Sequence, residues 1–106
     1  IYFQLSGKLR RGCRRMIAVK RMVLDVLKPH QPNALDFSRT IAAVGDDYRV
    51  RLTVIEVDEN TETLQMVVES RAIDFEAVLS SINAMGGSLH SIDEVEVVGE
   101  AIRTED

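Results

Sequence analysis

The chain has one cysteine, two histidines, two prolines and no tryptophan in 106 residues. Each shortage removes a class of function. A single thiol, Cys13, makes no internal disulfide and no C-x-x-C metal pair, so a disulfide scaffold and a thiolate zinc site are excluded. Aromatic residues make up 5% of the chain, and none falls on the central strands, so the stacking platform of a sheet-type RNA reader is missing. No run approaches the roughly 20 apolar residues of a membrane span. No glycine-rich phosphate loop, dinucleotide fingerprint or nucleophile elbow occurs either.

Acid is missing from one place. Residues 1–15 hold Lys8, Arg10, Arg11, Arg14 and Arg15 and no carboxylate, whereas the other 91 residues carry 8 basic and 17 acidic side chains, a net of −9. An acidic body is a poor counterion for a phosphate backbone. The expectation is a cytoplasmic protein with neither nucleic acid nor membrane as partner. Tyr2-Phe3-Gln4 looks like a fragment of a cleavable tag, and Met16 looks like a natural start. The expected organisation is therefore a tag-like basic leader at 1–15, a single domain at 16–98 and a polar tail at 99–106 that frays.

What is there is a regular alternation of patterns. Ala18–Leu27 reads as a strand, ended by Pro29 and Pro32. Asn33 caps a helix running to about Ala43. Tyr48–Val57 and Thr63–Ser70 alternate as two strands around the polar turn Asp58-Glu59-Asn60-Thr61. Asp74 caps a second helix, stopped by Gly86-Gly87, and Leu89–Val98 is the last strand. The order βαββαβ predicts an α+β sandwich: a four-stranded antiparallel sheet in the order 4-1-3-2 with both helices on one face. The other face would carry Val23, Asp25, Leu27, Arg51, Thr53, Ile55, Gln65, Val67 and Glu69. That mixture, with two unpaired sheet edges, predicts self-association.

Two phrases, LDVLKPHQP (Leu24–Pro32) and GGSLHSIDEV (Gly86–Val95), each set a histidine near carboxylates. In the 4-1-3-2 order the end of the first strand lies near the start of the last. His30, His90, Asp93, Glu94 and Asp25 are then expected along one edge, with Asp25 level with Asp93. His30, His90 and Ser91 are the candidate ligand or interface residues, and Asp25, Asp93 and Glu94 the candidate metal ligands. Calcium or magnesium would want several such oxygens, although no EF-hand spacing is present. A histidine beside a carboxylate also suits acid–base chemistry, which makes an enzyme using His90 and Asp93 a third reading.

These phrases, with VIEVDENTETL (Val54–Leu64) and IDFEAVLSSINAMGGSLHSIDEV (Ile73–Val95), resemble the archaeal domain of unknown function 211 family over about Ala18–Val98. The resemblance implies a ferredoxin-like fold, a closed homo-oligomer, a divalent cation such as calcium, and no established activity. The expectation that follows is a non-enzymatic, homo-oligomeric interaction or small-ligand-sensing module with a divalent metal at subunit boundaries. The alternative is a purely structural oligomeric scaffold. A sensing module of this kind would hold its ligand between Pro29–Asn33 and Gly86–His90.

Overall fold

The computed structural model describes residues 13–103, with side chains described for residues 16–100. Six elements follow in order: β1 (Cys13–Pro29), α1 (Ala34–Ala42), β2 (Arg49–Val57), β3 (Thr61–Glu69), α2 (Phe75–Ala84) and β4 (Ser88–Arg103). The strands form one antiparallel sheet in the order β2-β3-β1-β4, which is the expected 4-1-3-2 read from the other edge. The fold is the ferredoxin-like α+β sandwich.

Local chemistry sets the helix ends. Asn33 accepts a hydrogen bond from the Asp36 backbone N–H at 2.8 Å, and Asp74 accepts one from the Ala77 N–H at 3.1 Å. Each satisfies a donor that the first helical turn leaves without a partner. After α2 the chain turns through Gly86 at φ 83°, a left-handed conformation that glycine adopts without a Cβ penalty. The Gly86 and Gly87 N–H groups then close onto the Asn83 and Ile82 carbonyls.

The core lies on one face of the sheet. Met22, Leu24 and Val26 of β1 and Leu64, Met66 and Val68 of β3 meet Phe37 and Ile41 of α1 and Val78 and Ile82 of α2. Burying a side chain of this size stabilises the fold by about 1.5–3 kcal/mol.

Two strands run longer than their composition predicts. β1 begins at Cys13, inside the expected leader, and β4 continues to Arg103, through most of the expected fraying tail. The reason is that the two extensions pair with each other, from Cys13↔Arg103 to Ala18↔Val98. A ladder partner satisfies backbone groups whatever the polarity of the side chains, and alternation within one strand does not reveal it. The result is a two-stranded arm at one end of the sheet. The tag-like Tyr2-Phe3-Gln4 and the last three residues, 104–106, lie outside the described residues.

The uncovered face carries the expected side chains, since Val23 pairs with Val67, Asp25 with Gln65, Arg51 with Val67 and Thr53 with Gln65. Ile55 departs from this, being an extra residue between the Val54↔Leu64 and Glu56↔Thr63 pairs. The face is less apolar in effect than its composition suggests. Val23 is only 6% exposed, and Arg21 spans the surface to Glu69 at 2.8 Å and Glu94 at 2.9 Å.

Exposed apolar side chains fall on both edge strands: Val54, Ile55 and Val57 on β2, and a row along β4 on the other side of the sheet. Ile92 stands opposite Leu24 and Val95 opposite Met22, so both point toward the helix-bearing side. Their partners are buried, yet Ile92 and Val95 are 45% and 48% exposed. Val97, opposite the core-packed Val19, and Ile17 extend the row. α1 lies toward β2 and α2 toward the start of β4, where Leu89 joins the core, and Ile92, Val95 and Val97 remain exposed beyond it.

Candidate functional site

The sequence placed five residues on one edge, and the structure separates them. His90 meets Asp25: its Nδ1 lies 3.1 Å from Asp25 Oδ2 on the helix-free side of the sheet. Leu27 and Thr63 complete a shallow depression of about 210 Å³ there. His30 is on the opposite side. Asp93 accepts a hydrogen bond from Ser91 Oγ at 2.8 Å, and Glu94 is paired with Arg21. The acid–base pairing of His90 with Asp93 is thus replaced by His90 with Asp25.

The expected register, with Asp25 level with Asp93, is also corrected. Asp25 stands opposite Ser91, and β4 carries one extra residue on each side of that pair. Val26 pairs with Leu89 and Asp25 with Ser91, leaving His90 over; Leu24 pairs with Ile92 and Val23 with Glu94, leaving Asp93 over. A bulge re-aims the extra side chain. His90 and Asp93 are those side chains.

His30 belongs to a cluster at the hairpin end of the sheet. Lys28 is fully buried. Its Nζ donates to the Pro29 carbonyl at 2.9 Å and the Pro32 carbonyl at 2.8 Å, and pairs with Glu62 Oε1 at 2.9 Å. An ammonium has three donors, and all three are engaged. The other Glu62 oxygen lies 3.0 Å from His30 Nδ1, and His30 Nε2 lies 2.9 Å from the Glu59 carbonyl. Both ring nitrogens face acceptors, and only the imidazolium can donate to both. The His30 pKa is accordingly raised, first by the Glu62 carboxylate and then by the Glu59 carbonyl. Glu62 is held below its usual range, first by His30 and then by Lys28. The cluster ties the β1–α1 connection to the β2–β3 hairpin.

Sequence reasoning missed Lys28 and Glu62, although a signal existed. Lys28 continues the core-facing series Met22, Leu24, Val26, and Glu62 continues Leu64, Met66, Val68 two residues before it. Alternation alone buries both, and a buried ammonium requires a carboxylate. The segments expected to line a ligand pocket do meet, but Pro29 packs there: a Cβ on Gly86 would lie 3.3 Å from Pro29 Cγ.

A larger cleft lies at the other end of the sheet. It measures about 590 Å³ and is enclosed by the arm, the α1–β2 connection and the β3–α2 connection. Asp47 builds its floor by accepting from Ser70 Oγ at 2.7 Å and from the Arg71 backbone N–H and Nε, both at 2.9 Å. These bonds, the Ser70 hydroxyl foremost, hold the Asp47 pKa down to about 2. The Tyr48 hydroxyl accepts from the Asp74 N–H at 2.6 Å, and Lys20 Nζ donates to the Arg71 carbonyl at 2.6 Å. A Cβ at Gly45 would collide with the Tyr48 ring, so glycine lets that ring lie flat against the connection. These residues come from two connections and from β1, and no local motif announces them.

Among the described residues no group of three or more His, Cys, Asp or Glu side chains could hold a metal ion. The candidate ligands are engaged elsewhere: Asp25 with His90, Asp93 with Ser91, Glu94 with Arg21. One copy of the chain therefore does not fit a divalent cation at these positions. No helix among the described residues is long and apolar enough to cross a membrane.

Comparison with known proteins gives the same picture of a family without an assigned activity. The model of the DUF211 family, described as "Uncharacterized ArCR", matches residues 20–106. The match takes in the stretch 99–106 that reads by composition as a tail. The chain is similar to the "Uncharacterized protein MJ0319" of Methanocaldococcus jannaschii, with 38% identity over 87 residues, which is 82% of this chain and 89% of that protein.

Proposed function

We propose that this chain, which belongs to the uncharacterised DUF211 family, is a non-enzymatic module that assembles with copies of itself through the β4 margin. The observation that carries this reading is the row Ile92, Val95, Val97 and Ile17, exposed beside an unpaired strand edge. An apolar row with a free ladder of backbone donors and acceptors is what strand-to-strand association uses. Truncating each side chain would remove part of the contact; placing charge there would oppose it outright.

Small-ligand sensing remains part of the proposal, because the arm-end cleft of about 590 Å³ is of the size that holds small molecules. A divalent cation such as calcium would need carboxylates pooled from two copies, since one copy offers no complete set among its described residues.

The test is native mass spectrometry of the chain, alone and as the double variant Ile92→Asp/Val95→Asp. The wild type is expected at a multiple of its 11.9 kDa subunit mass, and the variant at the monomer mass with unchanged far-UV circular dichroism. A wild type that stays monomeric at micromolar concentration, or a variant that assembles as before, sinks the reading.

A further inference from the structure

The chain is acidic, yet its cations are not scattered. A second depression, of about 330 Å³, adjoins the arm-end cleft and shares Lys20, Asp47, Ser70 and Arg71 with it, adding Arg49 and Glu69. Three cations, Lys20, Arg49 and Arg71, therefore stand around one rim. The carboxylates beside them are occupied: Glu69 pairs with Arg21, and Asp47 holds Ser70 and the Arg71 backbone and Nε. Arg71 keeps both terminal nitrogens free of hydrogen bonds to the described residues, and Lys20 uses one of its three donors. Arg49 has no carboxylate partner among the described residues.

The rest of the cleft differs in character. Met16, Ala18, Val44 and Val98 give it an apolar wall, and three further carboxylates, Asp46, Asp74 and Glu100, stand on its lining. Asp74 is engaged with the Ala77 N–H, whereas Asp46 and Glu100 have no hydrogen-bond partner among the described residues. A complementary ligand would carry a compact multiple anion at one end, an apolar or planar body, and donors such as hydroxyls or an amino group. A cleft of about 590 Å³ falls in the range that holds small metabolites.

We infer that the arm-end cleft binds a phosphate-bearing metabolite of mononucleotide size, its phosphate on Lys20, Arg71 and Arg49 and its body against Met16, Ala18 and Val98. A phosphate has three acceptor oxygens and close to two negative charges at neutral pH, which matches three cations better than a single carboxylate does. Charge-assisted bonds to guanidinium and ammonium supply the affinity, and the apolar wall supplies selection for the body. The backbone does not compete as an anion cradle, because the Arg71, Ala72 and Asp74 N–H groups are already bonded to Asp47, Ser70 and Tyr48. The cleft uses the side of the arm that carries Met16 and Ala18, while Ile17 and Val97 alternate onto the other. The inference therefore stands apart from the assembly reading and can survive its failure.

The probes are adenosine monophosphate and inorganic phosphate, titrated into the full ¹⁵N-labelled chain and followed by amide shifts and calorimetry. Adenosine monophosphate is expected to shift the Tyr48, Arg71 and Val98 amides, to bind more tightly than phosphate, and to bind more weakly as salt rises. Lys20→Ala and Arg71→Ala should each weaken it by about tenfold, the value of one charge-assisted bond. Arg39→Ala, on α1 beside Asp36, should leave it unchanged. The inference is overturned if millimolar adenosine monophosphate moves none of those amides, if phosphate alone binds as tightly, or if both cleft variants bind like the wild type.

Discussion

The two ends of the sheet carry polar clusters of similar size in opposite condition. At the hairpin end Lys28, Glu62 and His30 are closed on one another and on three backbone carbonyls. At the arm end Lys20, Arg49 and Arg71 retain donors, and Asp46 and Glu100 retain acceptors, that no described residue meets. Filled hydrogen-bonding capacity in a buried cluster stabilises a fold and leaves nothing for a ligand. Unfilled capacity around a cleft does the reverse. His30, which looks like a functional residue in the sequence, is on the structural side of that division, and His90, exposed beside Asp25, belongs to neither cluster.

The strongest way to break the comparison is to remove a member of each cluster. Glu62→Ala leaves the fully buried Lys28 ammonium without its carboxylate. The carboxylate side chain is 17% exposed, so its loss should cost about 3 kcal/mol, at the low end for breaking a buried pair. Arg71→Ala removes a guanidinium whose side chain is 86% exposed and should change stability by less than about 1 kcal/mol. Urea unfolding of both variants reads the contrast. Equal midpoints would mean that the hairpin-end cluster does not stabilise the fold. The assembly variant Ile92→Asp/Val95→Asp comes next, since it is expected to change subunit number rather than subunit folding.

Proton titration sharpens the same contrast. His30 has a raised pKa in the folded chain. Its contribution to stability is therefore complete below the unfolded value of about 6.5 and is lost as pH rises through the raised folded value. Glu62 has the opposite sign: its lowered pKa gives stability present above the unfolded range and lost as pH falls through the folded value. Stability should thus be greatest between the ordinary carboxylate range and the unfolded imidazole value of about 6.5. His30→Gln should flatten the alkaline side of that profile. Thermal melts across pH 4–9 measure it, and a His30→Gln profile parallel to the wild type would remove the imidazolium from the account.

Much of the fold was legible because strand alternation and helix caps act locally. The order of elements, the sheet order and the caps Asn33 and Asp74 follow from such signals. Strand lengths did not, because the pairing of 13–18 with 98–103 is a property of two segments. The site was harder. The spacing Leu89, Ile92, Val95, Val97 was a sign that β4 does not alternate strictly, since a regular strand would send Leu89 and Ile92 to opposite faces. Read that way, it gives the two bulges, and with them the places of His90 and Asp93. The cleft had no comparable sign. Lys20, Asp47, Arg71 and Glu100 lie on four separate stretches of chain, and only the return of β1 alongside β4 brings them to one rim.

The smallest expected effect tests whether the cleft floor is as firmly built as its hydrogen bonds suggest. Asp47 has a pKa of about 2 against an ordinary value of 3.8. The sign is that of a depressed carboxylate: its stabilisation is present above the unfolded value and disappears as pH falls toward 2. Asp47→Asn keeps an oxygen that can accept from Ser70 and the Arg71 N–H but loses the charge that faces the guanidinium. The variant should melt slightly below the wild type above pH 4, and the two should converge as pH approaches 2. Asp47 is reachable by water and its ion pair with Arg71 is exposed, so the gap should shrink in high salt. The Arg71 side-chain Nε resonance reports the same contact directly, and should follow the Asp47 titration in the wild type. A wild-type Nε signal that titrates near pH 4 would show an ordinary surface carboxylate, and the arm-end cleft would then lack the fixed floor that holds Arg71 at its rim.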